Sequence, residues 1–298
     1  MEEKRKSRIL PWLLVLLPLW LIASGSFALV QYFNSEETEK IEAEKRFAKS
    51  VSAESIADDL KKIISVIGER NTSKPAQLSA TASMIEGTLG PSNTGYDVAS
   101  IISPSDFPIL KVTIPSLKKD IPPLWIITSY DSPNSSRGAE KNATGLVATL
   151  AAAQALADHS PAQSIHFLFI PHANEDDSPV LETATLVSQL IQAETKPRTI
   201  LCIEAMGDAE SLILSSRDTT ALPNVDFVDL GKILGAEIVC LGDDFDIAST
   251  LTEMNLPAIR IATRPMLLPD EADEKIPFAP TLAASTGRLI ELVRRLSR

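Results

Sequence analysis

Four acidic side chains follow closely on apolar runs of strand length. Asp131 comes after Leu124–Thr128 in Ser129-Tyr130-Asp131-Ser132. Glu175 and Asp176 come after Ile165–Ile170 in Pro171-His172-Ala173-Asn174-Glu175-Asp176-Asp177, and Glu204 follows Ile200–Ile203 directly. In sheets wound from parallel strands, ligands collect at the carboxyl ends of the strands. Three consecutive strand ends would therefore bring these carboxylates to one edge. Converging carboxylates repel unless a cation neutralises them, so the chemistry they suggest is metal binding or general acid–base work. The other reading is a set of acidic loops facing water. Spacing alone leaves both open.

The elements that must position these residues alternate. Further strand-like runs are Ile109–Ile114, Ile238–Leu241 and Ala258–Ala262. Helical periodicity marks Ala143–Ala157, Pro179–Ala193, Val225–Leu234, Ile247–Met254 and a closing Pro280–Leu296. Upstream, Ser55 with Asp58 forms a capping box before Ile56, Leu60, Ile63, Ile64 and Ile67, ending at Gly68. A second helix spans Gln77 to Leu89 before Gly90-Pro91. Strands alternating with helices predict an α/β domain over residues 55–298, with a largely parallel sheet covered on both faces.

Charge removes one class of partner. The 298 residues carry a net charge of −11. The first 33 hold Lys4, Arg5, Lys6 and Arg8 against Glu2 and Glu3, which leaves −13 on the remaining 265. Nucleic-acid binding needs clustered Lys and Arg, so it is not expected. Two cysteines, Cys202 and Cys240, cannot build a four-Cys zinc site. Both fall in buried strands and behave as small core residues, unless those strands are neighbours and the pair is bridged.

Leu10 to Phe33 contains no charge and is preceded by the basic cluster KRKSR. Twenty-four helical residues are long enough to cross a hydrocarbon core of roughly 30 Å. Basic residues before the run and NSEETE after it place the N-terminus in the cytoplasm. The expected organisation is a cytoplasmic tail (1–9), a transmembrane signal anchor (10–33), a charged helical stalk (34–54) and the extracytoplasmic domain. A cleaved signal peptide, cut after Ser26-Phe27-Ala28, is the other reading. The apolar run is long for such a segment.

From Ile56 to Leu296 the chain resembles the zinc-dependent aminopeptidase-like metallopeptidases (peptidase family twenty-eight, clan MH). That family includes leucyl aminopeptidases, glutamate carboxypeptidase and glutaminyl cyclase. Ile67-Gly68-Glu69-Arg70 matches its Gly-Glu-Arg turn, and Ser129-Tyr130-Asp131-Ser132 its His-Tyr-Asp-Ser strand end. Gly138 through Gly145 resembles its Gly-Ala-x-Asp-Asn-x-Ser-Gly helix start. Asn174-Glu175-Asp176 resembles its Asn-Glu-Glu turn, and Ile203-Glu204-Ala205-Met206-Gly207 its Leu-Glu-Met-Ile-Gly strand end. Later echoes are Gly242-Asp243-Asp244 and Asn255-Leu256-Pro257-Ala258. The resemblance implies a phosphorylase/hydrolase-like aminopeptidase fold, with a central, mostly parallel mixed sheet and helices on both faces.

It also implies two zinc ions, and here the chain departs. Ser129 stands at the first His ligand, Lys141 at the bridging Asp, and no His follows His172 to supply the last ligand. Asp176 and Glu204 are the residual ligand positions, Asp131 backs the first ligand, and Glu175 holds the general-base position. A catalytic zinc takes about three protein ligands, so no metal is expected, and zinc only if the protein is active after all. Lys141 would instead neutralise Asp131, Asp176 and Glu204. His172, in a Pro-flanked turn, reads as a surface histidine rather than a replacement ligand. The resulting expectation is a membrane-anchored pseudoenzyme that binds a peptide or protein in its cleft. The alternative is an active metal-dependent aminopeptidase with an atypical site.

Overall fold

The computed structural model describes residues 46–298 except 104–105, 117, 119–120, 175–177, 195–196, 198, 217–236, 240–246, 265–272 and 274. In the N-terminal part it describes 17–18, 20, 23–29 and 31, all helical. Residues 1–45 and Arg46–Arg298 form two compact units. Among the described residues no helix is long and apolar enough to cross a membrane. Most of segment 10–33 lies outside them.

The second unit opens on residues 46–52, which are mostly exposed but run without helix rather than as the expected helical stalk. Phe47 N–H donates to the Thr94 carbonyl (3.0 Å) and Lys49 N–H to that of Gln154 (3.1 Å). Helix α1 (Ala53–Leu60) starts two residues before the proposed box, because Ser52 is its cap and accepts Ser55 N–H at 3.1 Å. It continues as a π-helical stretch, Lys61–Ile67, closed by Gly68. α2 is Pro75–Leu89.

Eight strands follow among the described residues: β1 (Ala99–Ile102), β2 (Pro108–Ile114), β3 (Leu124–Ser129), β4 (Ile165–Ile170), β5 (Ile200–Ile203), β6 (Ile213–Ser215), β7 (Glu237–Val239) and β8 (Ala258–Ala262). Their order in the sheet is β1-β2-β4-β3-β5-β8-β6-β7. Pairings β4–β3, β3–β5, β5–β8 and β6–β7 are parallel; β1–β2, β2–β4 and β8–β6 are antiparallel. The sheet is thus mixed, with a parallel centre. Three of the predicted strands, β4, β5 and β8, have the bounds read from the sequence. β1 and β6 were not anticipated: β1 is largely exposed and β6 is only three residues long.

The central strands are apolar on both faces because both are covered. On β3, Leu124 and Ile126 join one buried cluster with Ile56, Leu60, Leu150 and Leu289. Trp125 and Ile127 join another with Val187, Ile191 and Leu251. The first cluster takes α1, α2, α3 (Thr144–Ala155) and α6 (Ala279–Leu296); the second takes α4 (Ser178–Ala193) and α5 (Ile247–Glu253). Region Val225–Leu234, expected to be helical, lies outside the described residues.

Candidate functional site at the strand ends

After β3 the chain runs into Tyr130, Asp131 and Ser132, all fully buried. Asp131 Oδ2 accepts the backbone N–H groups of Ala173 (2.9 Å) and Asn174 (2.7 Å), at the end of β4. Its Oδ1 accepts from Asn174 Nδ2 at 3.0 Å. Burial pushes the Asp131 carboxyl pKa up, while these three donors and the nearby His172 push it down; burial is the larger effect. His172 is not the surface histidine expected from its turn. It is fully buried, with its ring edge-on to Phe107 at 5.8 Å between centroids. Pro171, whose place before His172 suggested an exposed turn, is itself buried.

Ser129 Oγ accepts two amide donors, Asn142 Nδ2 at 2.5 Å and Asn174 Nδ2 at 2.9 Å. Asn142 Nδ2 also reaches the Ser129 carbonyl at 2.9 Å, and its Oδ1 accepts from Arg70 Nη2 at 2.7 Å. These contacts fix the Asn142 amide, whose oxygen faces a donor and whose nitrogen faces acceptors. Arg70 is the centre of this half of the site. Its guanidinium, completely buried, donates to the carbonyls of Tyr130 (3.1 Å), Gly68 (2.8 Å) and Arg137 (2.7 Å). Its backbone N–H donates to Ser132 Oγ at 2.9 Å. Burial lowers its pKa to about 10, with Asp131 and Asp273 opposing, so it stays charged at neutral pH. The motif that contains Arg70 was recognised in the sequence, but no role was assigned to this residue. A buried arginine has to satisfy five N–H groups, and the signal was its place in a turn beside a strand end.

Between β3 and α3 the chain makes a π-helical turn, Ala139–Ala143, entered through Gly138 at φ +57°. A Cβ at Gly138 would meet Ser132 Cβ at 3.0 Å, so both backbone conformation and space demand glycine. Two residues past that turn, a Cβ on Gly145 would fall 2.5 Å from the Glu204 carbonyl oxygen. Glycine there lets the helix start lie directly on the end of β5. The turn's amides are already engaged: Asp273 Oδ1 accepts Glu140 N–H at 2.5 Å and Lys141 N–H at 3.2 Å.

At the end of β5, Glu204 Oε2 receives Arg260 Nε at 2.5 Å. Arg260 comes from the neighbouring strand, paired in register with Cys202, and its side chain is only 3% exposed. Its Nη1 donates to the Arg264 carbonyl at 3.3 Å. Arg264 Nη1 in turn pairs with Glu140 Oε2 at 2.7 Å. Sequence reasoning passed over both arginines. Arg260 sits in an apolar run, Ala258–Ala262, where an arginine without a partner would be expensive; that was the available signal.

Of the three carboxylates expected around Lys141, Asp176 lies outside the described residues. The Lys141 side chain is half-buried, and among the described residues no ion pair within 4 Å joins it to Asp131 or Glu204. Arg260 takes Glu204, and dipoles take Asp131. Glu175 and Asp176, the proposed base and ligand, lie outside the described residues, as does Cys240; Cys202 is buried in β5.

Zinc fits these donors poorly. A serine oxygen has two lone pairs, and both on Ser129 face amide hydrogens. Glu204 is already matched to a guanidinium. Among the described residues no group of three or more His, Cys, Asp or Glu could hold a metal ion.

Solved structures with this architecture include the LapA aminopeptidase of Legionella pneumophila. It has 14% identity and a TM-score of 0.64 over 83% of this chain and 72% of that one. A glutaminyl cyclase from an Acidobacteriales bacterium gives 14% identity and 0.62 over 84% and 97%. A Staphylococcus aureus tripeptidase gives 10% and 0.59 over 84% and 100%. Identities this low show the fold alone: an aminopeptidase-like α/β fold. No family model matches the sequence, and no curated protein does.

Proposed function

We propose that this chain is a non-catalytic relative of the zinc aminopeptidases, anchored in a membrane through residues 10–33, that binds a peptide or protein partner in the cleft at its strand ends. Ser129 carries the reading. Where the family places its first histidine ligand, the oxygen of Ser129 accepts Asn142 and Asn174 amides instead. The same three residues, with Asp131, knit three elements that ligands to a metal pair would otherwise join. The anchor is supported by the uncharged run of residues 10–33 and the basic cluster before it.

Purified protein is expected to hold well under one equivalent of zinc. It should not hydrolyse aminoacyl chromogenic substrates with added zinc, cobalt or manganese, and zinc should leave its melting temperature unchanged. Tightly held stoichiometric zinc with metal-dependent turnover would establish the active exopeptidase instead. Installing Ser129→His with Lys141→Asp should not produce turnover, because no late histidine exists. For the topology, residues 36–298 should be digested by external protease while the membrane fraction keeps segment 10–33. A soluble mature form beginning near Leu29 would show a cleaved signal peptide.

A further inference from the structure

Two metal ions at the strand ends of such a fold would do more than chemistry: they would tie together loops that each end on a carboxylate. Without them, Glu204 would face its neighbours as an unmatched charge in a partly dry site, which is costly. The structure supplies another cation in the same place.

We infer that Arg260 is the built-in counter-ion of Glu204, and that the chain Glu204–Arg260–Arg264–Glu140 replaces a metal as the tie between β5, β8 and the start of α3. The links are consecutive. Arg260 Nε meets Glu204 Oε2 at 2.5 Å, and Arg260 Nη1 meets the Arg264 carbonyl at 3.3 Å. Arg264 Nη1 meets Glu140 Oε2 at 2.7 Å. The Thr144 hydroxyl closes the ring: Met206 N–H donates to Thr144 Oγ1 at 2.9 Å, and Thr144 Oγ1 donates to the Glu140 carbonyl at 2.7 Å. Burial distinguishes this arrangement from an incidental surface pair. Arg260 is 3% exposed and Glu204 20%, with Arg264 and Glu140 at 19% and 17%. A guanidinium suits the task because it cannot be deprotonated at working pH and directs its donors in a fixed plane. Position suits it too. Arg260 alternates with Ile259 and Ile261, which face the other side of the sheet, so its side chain shares a face with Cys202 and Glu204.

The inference rests on the reading of the cleft as metal-free, and a double-mutant cycle on the full-length protein in detergent separates the two. Arg260→Met should lower the thermal midpoint by about 10 °C, because it leaves a carboxylate unmatched. Glu204→Gln in the Arg260→Met background should recover roughly half of that loss, since the unmatched charge is then gone. Zinc and chelator should move the wild-type midpoint by nothing. If Arg260→Met is as stable as wild type, or if the double variant is no better than Arg260→Met, Arg260 is not the counter-ion, while the non-catalytic reading stands. Should Arg260→Met fail to fold, the double variant decides by the same criterion. Stoichiometric zinc in the wild type overturns both.

Discussion

Asp131 has no contact with solvent and is held by three N–H dipoles; Glu204 keeps a fifth of its surface exposed and is held by a guanidinium. Arg70 lies beside Asp131, yet its Nη2 reaches the backbone carbonyl of that residue at 3.5 Å rather than the carboxylate. The two carboxylates end neighbouring strands and belong to one site, but they are stabilised by different means. In the deep half, a contact ion pair would have to give up all hydration on both partners. Preset backbone amides cost no such desolvation at each end, since they must be hydrogen-bonded anyway. In the shallow half, water covers part of the pair, so direct pairing repays the loss. Depth decides which solution is used.

The sharpest way to break the comparison is to remove the hub of the deep half. Arg70→Met leaves the carbonyls of Gly68, Tyr130 and Arg137 and the Asn142 amide oxygen without their donor. Several buried acceptors lost at once should cost about 3–5 kcal/mol in chemical unfolding. A loss under about 1 kcal/mol would mean that the neutral network holds itself.

Next in size is Asp131→Asn, expected to cost about 2–3 kcal/mol. An amide in that position must turn its own NH₂ either toward the Ala173 and Asn174 amides or toward Asn174 Nδ2. One donor–donor contact is unavoidable. A neutral effect would show that Asp131 is protonated in the native state at the pH of the measurement.

A third measurement uses a cluster on the opposite end of β4 as a reference. His166 Nε2 lies 2.9 Å from Glu194, which also takes Lys111 Nζ at 2.5 Å, and Thr113 Oγ1 lies 2.9 Å from His166 Nδ1. Burial, with Lys111 beside it, lowers the His166 pKa to about 4, against the opposing pull of Glu194. The folded value lies below the unfolded one of roughly 6.5, so the unfolded chain takes up the proton first. Stability from this group is complete above about pH 6.5 and is lost as the pH falls toward 4. Glu194 is a third exposed and softens the effect, leaving about 2 kcal/mol. Urea unfolding at pH 6.5 and 4.5 should show His166→Gln losing less than wild type by that margin. Equal losses would mean His166 is not the titrating group.

The architecture was legible where a strand is covered on both faces. β4, β5 and β8 are fully buried apolar runs broken only by His166 and Arg260, and their bounds follow directly from the residues. β1 was invisible because Ala99–Ile102 lies at the sheet edge, where three of its four residues are exposed and impose no pattern. For the site, the acidic strand ends were legible and their partners were not. A carboxylate announces a need for compensation without saying what supplies it. Asp131 is served by amides 42 and 43 residues away in sequence, and Glu204 by an arginine 56 away. Such contacts exist only once the strand order is fixed. His172 was misjudged for the same reason, since the ring it meets, Phe107 on the approach to β2, is 65 residues away in sequence.

Lys141 carries the smallest expected effect and divides the two halves most finely. It occupies the position that resembles a bridging aspartate, and its backbone N–H is capped by Asp273, so its fold role is served by the main chain. Arg260 already matches Glu204, and the dipoles of residues 173 and 174 match Asp131. Nothing among those carboxylates is left for the ammonium to neutralise. Lys141→Met is therefore expected to change stability by less than about 0.5 kcal/mol at pH 7, as for a partly solvated lysine. A loss above about 1 kcal/mol that shrinks in acid would show a paired ammonium, with a carboxylate other than Asp131 or Glu204 as its partner. Asp176→Asn would then have to cost as much, and combining the two substitutions would have to cost less than their sum.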